Sequence, residues 1–295
     1  AALSSSLTSS IEKENIEGQS LSLLTNDAVP EDAAVLLIYG PLSDISEDEK
    51  NKITDYMDQG GQVIYLRGYT DQETPNLDSL LEEYGISVAE GLVLEGSSDH
   101  HLTNYPYYLL PNINYSDYTS DVSSRYVMMA FAEGLTETAA ESSSEDEEET
   151  DDGLTYESLL TTSSEAYSKV NLESENLEME EGDIAGPFDL AAVVTKTIDE
   201  EAGTEAKLVV FSSETLLDEQ VDSMVSGGNS TLFMNVLSQL VDHESTVSIE
   251  AKSLAVSYLT VTAGSAIFWG LLTVIIIPLF LLCLGGVIWF QRRKR

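Results

Sequence analysis

The chain has 295 residues, of which 52 are acidic and 13 are Lys or Arg, so its formal net charge is −39. A chain this negative repels nucleic acid and anionic lipid headgroups, which excludes nucleic acid as a partner. The one cysteine, Cys283, lies in an apolar stretch near the C-terminus. The rest of the sequence therefore offers no thiol nucleophile, disulfide or cysteine-based zinc site.

A strand, helix, strand pattern begins the regular structure. Residues 33–39 are a continuous apolar run, typical of a strand that is buried on both faces in a parallel sheet. Ser46 and Glu49 have the spacing of a capping box and predict a helix that ends near Gly60. Residues 62–66 follow as a second apolar strand. Such a unit forms a right-handed crossover, so the predicted fold class is α/β with a parallel sheet.

Further elements follow with weaker patterns. Residues 141–152 carry no apolar side chain, so a disordered acidic loop is expected over 139–153. The other expected elements are a helix over 76–84, a strand over 88–94, an irregular excursion over 97–121, strands over 126–132 and 156–162, an antiparallel hairpin of 190–195 with 206–211 at one edge of the sheet, and a helix from about Ser230 through Leu240 capped by Asn229 or Ser230.

The C-terminal apolar stretch predicts a transmembrane helix over residues 266–290. Residues 267–290 carry no charged side chain, and as a helix they would be roughly 36 Å long, enough to cross a hydrocarbon core of about 30 Å. Trp269 and Trp289 are spaced to place one indole at each headgroup layer. Pro278 predicts a kink near the middle. A lipid bilayer is therefore an expected partner.

The charges that follow this stretch predict its orientation. The tail contains four basic side chains: Arg292, Arg293, Lys294 and Arg295. Residues 291–295 are therefore expected in the cytoplasm, with residues 1–252 as an extracytoplasmic α/β domain and 253–265 as a juxtamembrane linker to the plasma membrane. Because no signal segment precedes residue 30, we expect either that an upstream targeting segment has been cleaved or that the chain is an N-terminally truncated fragment of a longer protein.

The sequence contains no pattern that predicts catalysis or a cofactor. Neither a glycine-rich phosphate-binding loop nor a serine-hydrolase elbow occurs, and His100 with His101 lacks the further ligands of a metal site. We expect no catalytic, cofactor-binding or metal-binding residues and a protein that is not an enzyme. Tyr105, Tyr107 and Tyr108 could form an aromatic platform that contacts a glycan or peptide; the alternative is a packed loop whose tyrosines cover the sheet edge.

The order of several short stretches resembles the GldG-type, gliding-motility-associated auxiliary components of ABC transport systems. The resemblance covers nearly the whole chain. The stretches that carry it are VPEDAAVLLIYGP at 29–41, SEDE at 46–49 with YMDQGGQV at 56–63, PNL at 75–77 with LLEEYGI at 80–86, LLTTS at 159–163, GNS at 228–230 with Asn235, and the terminal helix closed by its basic tail.

This resemblance implies a sandwich like the class I glutamine amidotransferase (flavodoxin-like) fold, plus one C-terminal transmembrane helix. It also implies association with an ABC permease and its ATPase subunit. Family members commonly have a membrane helix and a leading strand before the region seen here, so residues 1–17 are expected to form a helix within the domain. The implied function is a non-catalytic, membrane-anchored auxiliary subunit; the alternative is an anchored extracellular binding module for a glycan or peptide.

Overall fold

The computed structural model describes residues 3–70, 72–138, 153–174, 176–241 and 263–293. Residues 139–152 of the predicted acidic loop and residues 253–262 of the predicted linker lie outside this description. The α-helices are α1 (Ser5–Lys13), α2 (Glu47–Met57), α3 (Pro75–Glu82), α4 (Glu219–Met224), α5 (Gly228–Leu240), α6 (Ala263–Leu271) and α7 (Ile277–Arg293).

The strands and short turns complete the set of described elements. The strands are β1 (Leu36–Tyr39), β2 (Gln62–Leu66), β3 (Ile86–Ala89), β4 (Leu92–Leu94), β5 (His101–Leu102), β6 (Tyr105–Leu109), β7 (Asn112–Ile113), β8 (Met129–Ala130), β9 (Gly134–Glu137), β10 (Leu154–Thr161), β11 (Tyr167–Lys169), β12 (Ile184–Ala185), β13 (Asp189–Asp199) and β14 (Thr204–Phe211). The 3₁₀ turns are Asp117–Val122 and Glu214–Leu217, and a π turn spans Leu272–Ile276.

The main sheet is mixed rather than parallel. Its strand order is β1-β2-β14-β13-β10-β7, and β3 joins through β9, which also pairs with β13. Strands β1, β2 and β14 run parallel, whereas β13, β10 and β7 pair antiparallel with their neighbours. The prediction of a parallel sheet therefore holds for β1, β2 and β14 and is wrong for β10 and β7, whereas β13 pairs antiparallel with β14 as the predicted hairpin requires. A short turn joins β13 to β14 and allows only antiparallel pairing between these two strands.

This predicted hairpin is confirmed, but its predicted place at a sheet edge is wrong. Strand β14 pairs with β13 on one side and with β2 on the other, so the hairpin lies in the centre of the sheet. Strand β1 lies at one edge instead, because it pairs only with β2. All four of its residues are half-buried, which corrects the prediction of a strand buried on both faces.

Helices cover both faces of the sheet, as an α/β fold requires. Side chains alternate along β2, so Ile64 and Leu66 face one core while Val63 and Tyr65 face the other. The first core also contains the buried helix residues Leu7, Ile11, Leu232, Phe233, Val236 and Leu237 of α1 and α5. The second contains Ile53, Met57, Leu77, Leu80 and Leu81 of α2 and α3.

The helix signals read from the sequence are confirmed in the first half of the chain. Helix α2 begins with the predicted capping box: the Glu49 main-chain N–H donates to Ser46 Oγ at 3.2 Å, and Glu49 Oε2 accepts from the Ser46 N–H at 3.0 Å. Gly60 follows with φ +88°, the left-handed conformation expected after a helix. Helix α3 occupies the predicted segment and buries its leucine face.

The structure departs from three predictions between residues 86 and 132. The strand expected over 88–94 is two strands in different sheets, β3 and β4, separated by a turn at Gly91 with φ +96°. The excursion expected over 97–121 contains β5, β6, β7 and a 3₁₀ turn. The strand expected over 126–132 is reduced to β8. Small sheets with orders β5-β6-β8 and β12-β11-β4 result.

The C-terminal apolar stretch is helical from α6 through α7. Residues 267–285 are long and apolar enough to cross a membrane. The helix continues past Pro278 through the π turn that precedes it, in which the Ile277 N–H donates to the carbonyl of Leu272. A π turn shifts the hydrogen-bond ladder by one residue, which is one way that spanning helices accommodate proline.

Candidate functional site

The carboxyl ends of β1, β2 and β14 form the edge where open α/β sheets bind ligands. Arg67 directly follows β2, and Ser212 directly follows β14. The Arg67 main-chain N–H donates to the carbonyl of Phe211 at 2.8 Å, which holds the residue at this edge. Arg67 is 7% exposed, so its charge must be balanced within the protein.

The Arg67 guanidinium is bound by internal side chains. Its Nε donates to Glu133 Oε2, its Nη1 donates to Asp78 Oδ1 at 2.7 Å, and its Nη2 contacts Thr74 Oγ1 at 3.5 Å. Burial acts to lower the Arg67 pKa, but the negative charges around it, Glu133 first, raise it above its ordinary value. Burial raises the Glu133 pKa, and Arg67 offsets only part of that shift.

The loops that follow the parallel strands pack against one another and fill this edge. Gly40 has φ +52°, and a Cβ there would collide with the Glu214 carboxylate. A Cβ on Gly68 would approach the main chain of Gly40 to 3.1 Å. Burial, followed by the charge of Glu214, raises the pKa of Tyr39. The edge therefore resembles a closed polar core more than an open cleft.

A shallow cavity of about 370 Å³ lies away from this edge, between helix α2 and residues 27–34. Lys52 lines it, but its Nζ donates to the Leu23 carbonyl at 2.9 Å and pairs with Asp48 at 2.6 Å. The cation is thus already engaged, and the remaining charged lining is acidic. No cluster of three or more His, Cys, Asp or Glu side chains suited to a metal ion occurs in the part of the chain that the structure describes.

The two adjacent histidines contact the main chain. His100 Nδ1 lies 3.2 Å from the carbonyl of Leu110, and His101 Nδ1 lies 2.8 Å from the carbonyl of Leu102. His101 also begins β5, so the pair connects the small sheet to its surroundings. These contacts are those expected of structural histidines in a folded loop.

The structure brings the three predicted tyrosines together and adds a fourth ring, Phe131. The ring of Tyr107 stacks on Phe131 with centroids 5.2 Å apart, and Tyr105 and Tyr108 lie 6.0 Å and 5.4 Å from Tyr107. We call Tyr105, Tyr107, Tyr108 and Phe131 the aromatic cluster. Tyr105 is 47% exposed and Phe131 is 41% exposed, so half of the cluster faces solvent.

The inner side of the cluster is packed against buried side chains, and a platform that contacts a glycan or peptide stays a prediction. Tyr107 packs against Leu92, Leu94 and Tyr167. Phe131 has φ +53°, a left-handed conformation that is strained for a bulky side chain. Its main-chain N–H donates to the Tyr107 carbonyl at 3.2 Å, which helps to hold this conformation. Strain of this kind is frequent at binding sites.

A second feature, which the sequence patterns did not predict, surrounds Lys169. This lysine is 2% exposed, and its Nζ donates to the Glu178 carbonyl at 3.0 Å, to Glu180 Oε2 at 2.7 Å and to Asp183 Oδ2 at 3.1 Å. Residues 176–184, which we call the acidic strap, therefore wrap around one cation. A lone lysine before a run of acidic residues was the signal in the sequence.

Hydrogen bonds lower the pKa values of two carboxyl groups in the strap and so favour their ionised forms. Burial acts to raise the Asp183 pKa, but donation from the Glu180 and Val170 main-chain N–H groups and from Lys169 lowers it below its ordinary value. Hydrogen bonds from Lys169 and Asn176 likewise lower the pKa of Glu180. Because these pKa values are lower in the folded state, the stabilisation is present at neutral pH and is lost as pH falls through them.

We expect Lys169→Met to release the strap, because the buried carboxylate of Asp183 would lose the cation that compensates its charge. The measurement is limited proteolysis with a glutamate-specific protease at neutral pH. Cleavage after Glu178 and Glu181 should become several-fold faster. Lys207→Met, which removes a partly exposed pair with Glu205, is the matched control and should leave the rate unchanged. Equal rates in the wild type and Lys169→Met would contradict this account.

The GNS stretch at 228–230 connects α5 to the chain around residue 128. Asn229 is buried; its Oδ1 accepts from the Met128 N–H at 2.9 Å and its Nδ2 donates to the Met128 carbonyl at 2.7 Å. Gly227, not Asn229 or Ser230, is the N-cap, which corrects the prediction. Asn235 Nδ2 donates to the Tyr118 carbonyl at 3.0 Å. The stretch therefore has a structural role.

The C-terminal helix presents apolar side chains on all sides. Trp269 and Trp289 are exposed, and the Arg293 guanidinium lies 5.2 Å from the Trp289 ring centroid. Lys294, Arg295 and the side chain of Arg292 lie outside the described part of the chain. A helix that exposes this much apolar surface is suited to lipid or to another apolar partner.

Together these features define a mixed α/β domain with a closed strand edge, an exposed aromatic cluster and an apolar helix that could cross a membrane. The model of a family described as "ABC-type uncharacterized transport system" matches residues 4–237. The chain therefore belongs to this family of ABC transport auxiliary components.

Among solved structures, one described as "mmIFT52 N-terminal domain" is 15% identical with a TM-score of 0.49, covering 74% of this chain and 81% of that chain. A thua-like protein from Bacteroides uniformis is 12% identical with a TM-score of 0.35, covering 72% of this chain and 70% of that chain. No curated protein matches the chain in sequence.

Proposed function

We propose that this protein is a membrane-anchored, non-catalytic auxiliary subunit of an ABC transport system, whose α/β domain contacts the permease, its substrate or both. The observation that carries this proposal is the family match over residues 4–237. An apolar helix of spanning length lies just beyond the matched region. The ATPase subunit would join the complex through the permease on the cytoplasmic side.

The finer identity that we propose is a GldG-type component with an amidotransferase-like domain. Helices on both faces of a sheet that contains three adjacent parallel strands support this relation. The antiparallel half of the sheet would be this chain's variation on that fold. Motility itself is no part of the proposal.

The strand edge supports a role other than catalysis. Class I amidotransferases need a cysteine nucleophile, and the one cysteine here is Cys283 in the C-terminal helix. At the carboxyl ends of the parallel strands, Arg67 is engaged by Glu133 and Asp78, and the loop of Gly40 packs on Glu214. A reacting substrate would have to displace these contacts.

The proposed topology places the α/β domain outside the cytoplasm and the basic tail inside. The argument is the charge asymmetry across the C-terminal helix. Protease added to cells with a permeable outer layer would test it. We expect the α/β domain to be digested while a tag placed after Arg295 is protected. Protection of the domain with digestion of the tag would reverse the orientation.

Co-purification tests the proposed function. The full chain, tagged at its C-terminus and extracted in mild detergent, should retain an ABC permease and its ATPase subunit in fixed proportion. An unrelated tagged protein with one C-terminal span, expressed in the same cells, is the control. Absence of both transporter subunits from the purified sample, with the protein itself intact, would refute the proposal.

The alternative function is an anchored binding module for a glycan or peptide, and the exposed aromatic cluster favours it. We expect Tyr105→Ala to weaken binding to cell-wall fragments under this alternative, because a stacked ring is lost. Tyr115→Ala is the matched control, since Tyr115 is exposed but lies outside the cluster. Equal binding by both variants, or none by the wild type, would reject the alternative.

A further inference from the structure

The acidic strap presents large apolar side chains to solvent. Leu177 is 47% exposed, Met179 is 50% exposed and Ile184 is 40% exposed. Lys169 holds the strap from the inside through the Glu178 carbonyl and the side chains of Glu180 and Asp183. In addition, Asn176 Nδ2 donates to Glu180 Oε1 at 3.0 Å. A loop held by this many hydrogen bonds loses less conformational entropy on binding than a free one.

The buried residue Tyr167 connects the strap to the aromatic cluster. The Tyr167 hydroxyl donates to the Leu177 carbonyl, and the Tyr167 ring packs with Tyr107 around Leu92 and Leu94. Tyr107 in turn stacks on the exposed Phe131. Strap and cluster are therefore joined through buried side chains, and we call the exposed apolar side chains of the strap, Leu177, Met179 and Ile184, the strap surface.

Negative charge borders this surface. Glu178 and Glu181 are exposed, and neither forms an ion pair within the described residues; the pairs of the strap are those of Lys169 with Glu180 and Asp183. Lys169 itself is buried and cannot neutralise the outer carboxylates. Exposed apolar side chains next to unpaired carboxylates are complementary to a segment that carries apolar and basic side chains together.

We propose that the strap surface binds a protein segment in which Lys or Arg lies beside aliphatic or aromatic side chains. Anionic lipid is repelled by the same carboxylates, and a second copy of this chain is repelled by its net charge of −39. This inference rests on the proposed function, since the segment would belong to an extracytoplasmic loop of the permease.

A peptide probe tests the chemistry of the surface without the permease. The full chain is held in nanodiscs of zwitterionic lipid, and binding of a fluorescent Leu/Lys peptide is followed by anisotropy. The double variant Leu177→Ser, Met179→Ser should weaken binding about tenfold, because the bound peptide would no longer bury two apolar side chains. Leu24→Ser with Leu42→Ser makes the same change at two exposed leucines elsewhere and should leave affinity unchanged.

A second pair of variants tests the charges. Glu178→Gln with Glu181→Gln should weaken peptide binding several-fold and reduce its salt dependence. Glu200→Gln with Glu201→Gln, in the exposed turn between β13 and β14, is the matched control. Equal losses in the two charge variants, or equal affinity for a Ser/Lys peptide that lacks apolar side chains, would show binding by general charge and overturn the inference.

Co-purification with the same variants separates this inference from the proposed function. If the strap variants retain the permease as the wild type does, the strap surface is not the docking site and the proposed function stands. If the peptide binds as expected but the wild type retains no permease, the proposed function fails and the surface chemistry stands. Strap-dependent binding of cell-wall fragments, with no peptide binding, would overturn the inference in favour of a glycan surface.

Discussion

Arg67→Met is expected to lower the free energy of unfolding by about 3–5 kcal/mol. The guanidinium of Arg67 is bound to Glu133 and Asp78 at the carboxyl edge of β2. Methionine fills much of the same volume but carries no charge. The Glu133 side chain, which is only 13% exposed, would therefore be left without a cation beside it. The loss is large because an unpaired buried charge costs more than the pair contributes.

The size of this loss should depend on pH. Burial already raises the Glu133 pKa, and without Arg67 the offset disappears, so the pKa rises further. An acid whose pKa is higher in the folded state than its unfolded value, about 4.3, stabilises the fold below that value, and this stabilisation is lost as pH rises through the folded pKa. The variant should therefore lose more stability relative to wild type at pH 8 than at pH 5.

The measurement is urea unfolding of the full chain in detergent micelles, followed by circular dichroism, because both tryptophans lie in the C-terminal helix. Arg67→Lys keeps the charge but not the branched geometry, so it should recover part of the loss. Arg125→Met, at an exposed arginine, should change stability by less than about 0.5 kcal/mol. A loss at Arg67→Met no larger than at Arg125→Met would contradict the account of the network.

The first half of the fold could be predicted from the sequence because its signals are local. The capping box at Ser46 and Glu49, the glycine at position 60 and the leucine face of α3 each act within a few residues. An apolar run such as 33–39, by contrast, gives the strand but not its place in the sheet. The pairing of β14 with β2 leaves β1 at the edge, and that choice depends on residues more than 140 positions apart.

The region between residues 86 and 132 was mispredicted because long-range contacts override local pattern. The apolar run over 88–94 reads as one strand, but Gly91 turns sharply against the main chain of Lys169, and the two halves enter different sheets. Phe131 was read as part of a strand. Its left-handed conformation is fixed by its main-chain bond to Tyr107, which no spacing of residues encodes.

The candidate sites divide in the same way. The tyrosines of β6 could be singled out because three aromatic residues lie within four positions of the sequence. Arg67 was missed, although an arginine directly after a buried strand of a very acidic chain is a signal of a polar network. The strap was missed although Lys169 lies close to it in the sequence. Alternation of acidic and apolar residues does not by itself show which of those side chains bind a buried lysine.

Asn229→Leu is expected to lower the free energy of unfolding by about 2–6 kcal/mol, from about 1–3 kcal/mol for each of two buried groups left without a partner. Leucine has the branching and the number of side-chain heavy atoms of asparagine and suits a helix, although its larger methyl groups add some overpacking at this buried position. The Met128 N–H and carbonyl, however, bond to the Asn229 side chain and would remain buried without it.

Two variants on the same helix isolate this cause. Gln239→Leu replaces an exposed amide of α5 and should change stability by less than about 0.5 kcal/mol. Asn235→Leu loses bonds to the Asp117 and Tyr118 carbonyls at a half-buried position, so about 0.5–1.5 kcal/mol is expected. If Asn229→Leu and Gln239→Leu had equal free energies of unfolding, the hydrogen bonds between Asn229 and Met128 would not contribute measurably to the stability of the domain. The expected order, Asn229 above Asn235 above Gln239, follows burial of the amide rather than its type.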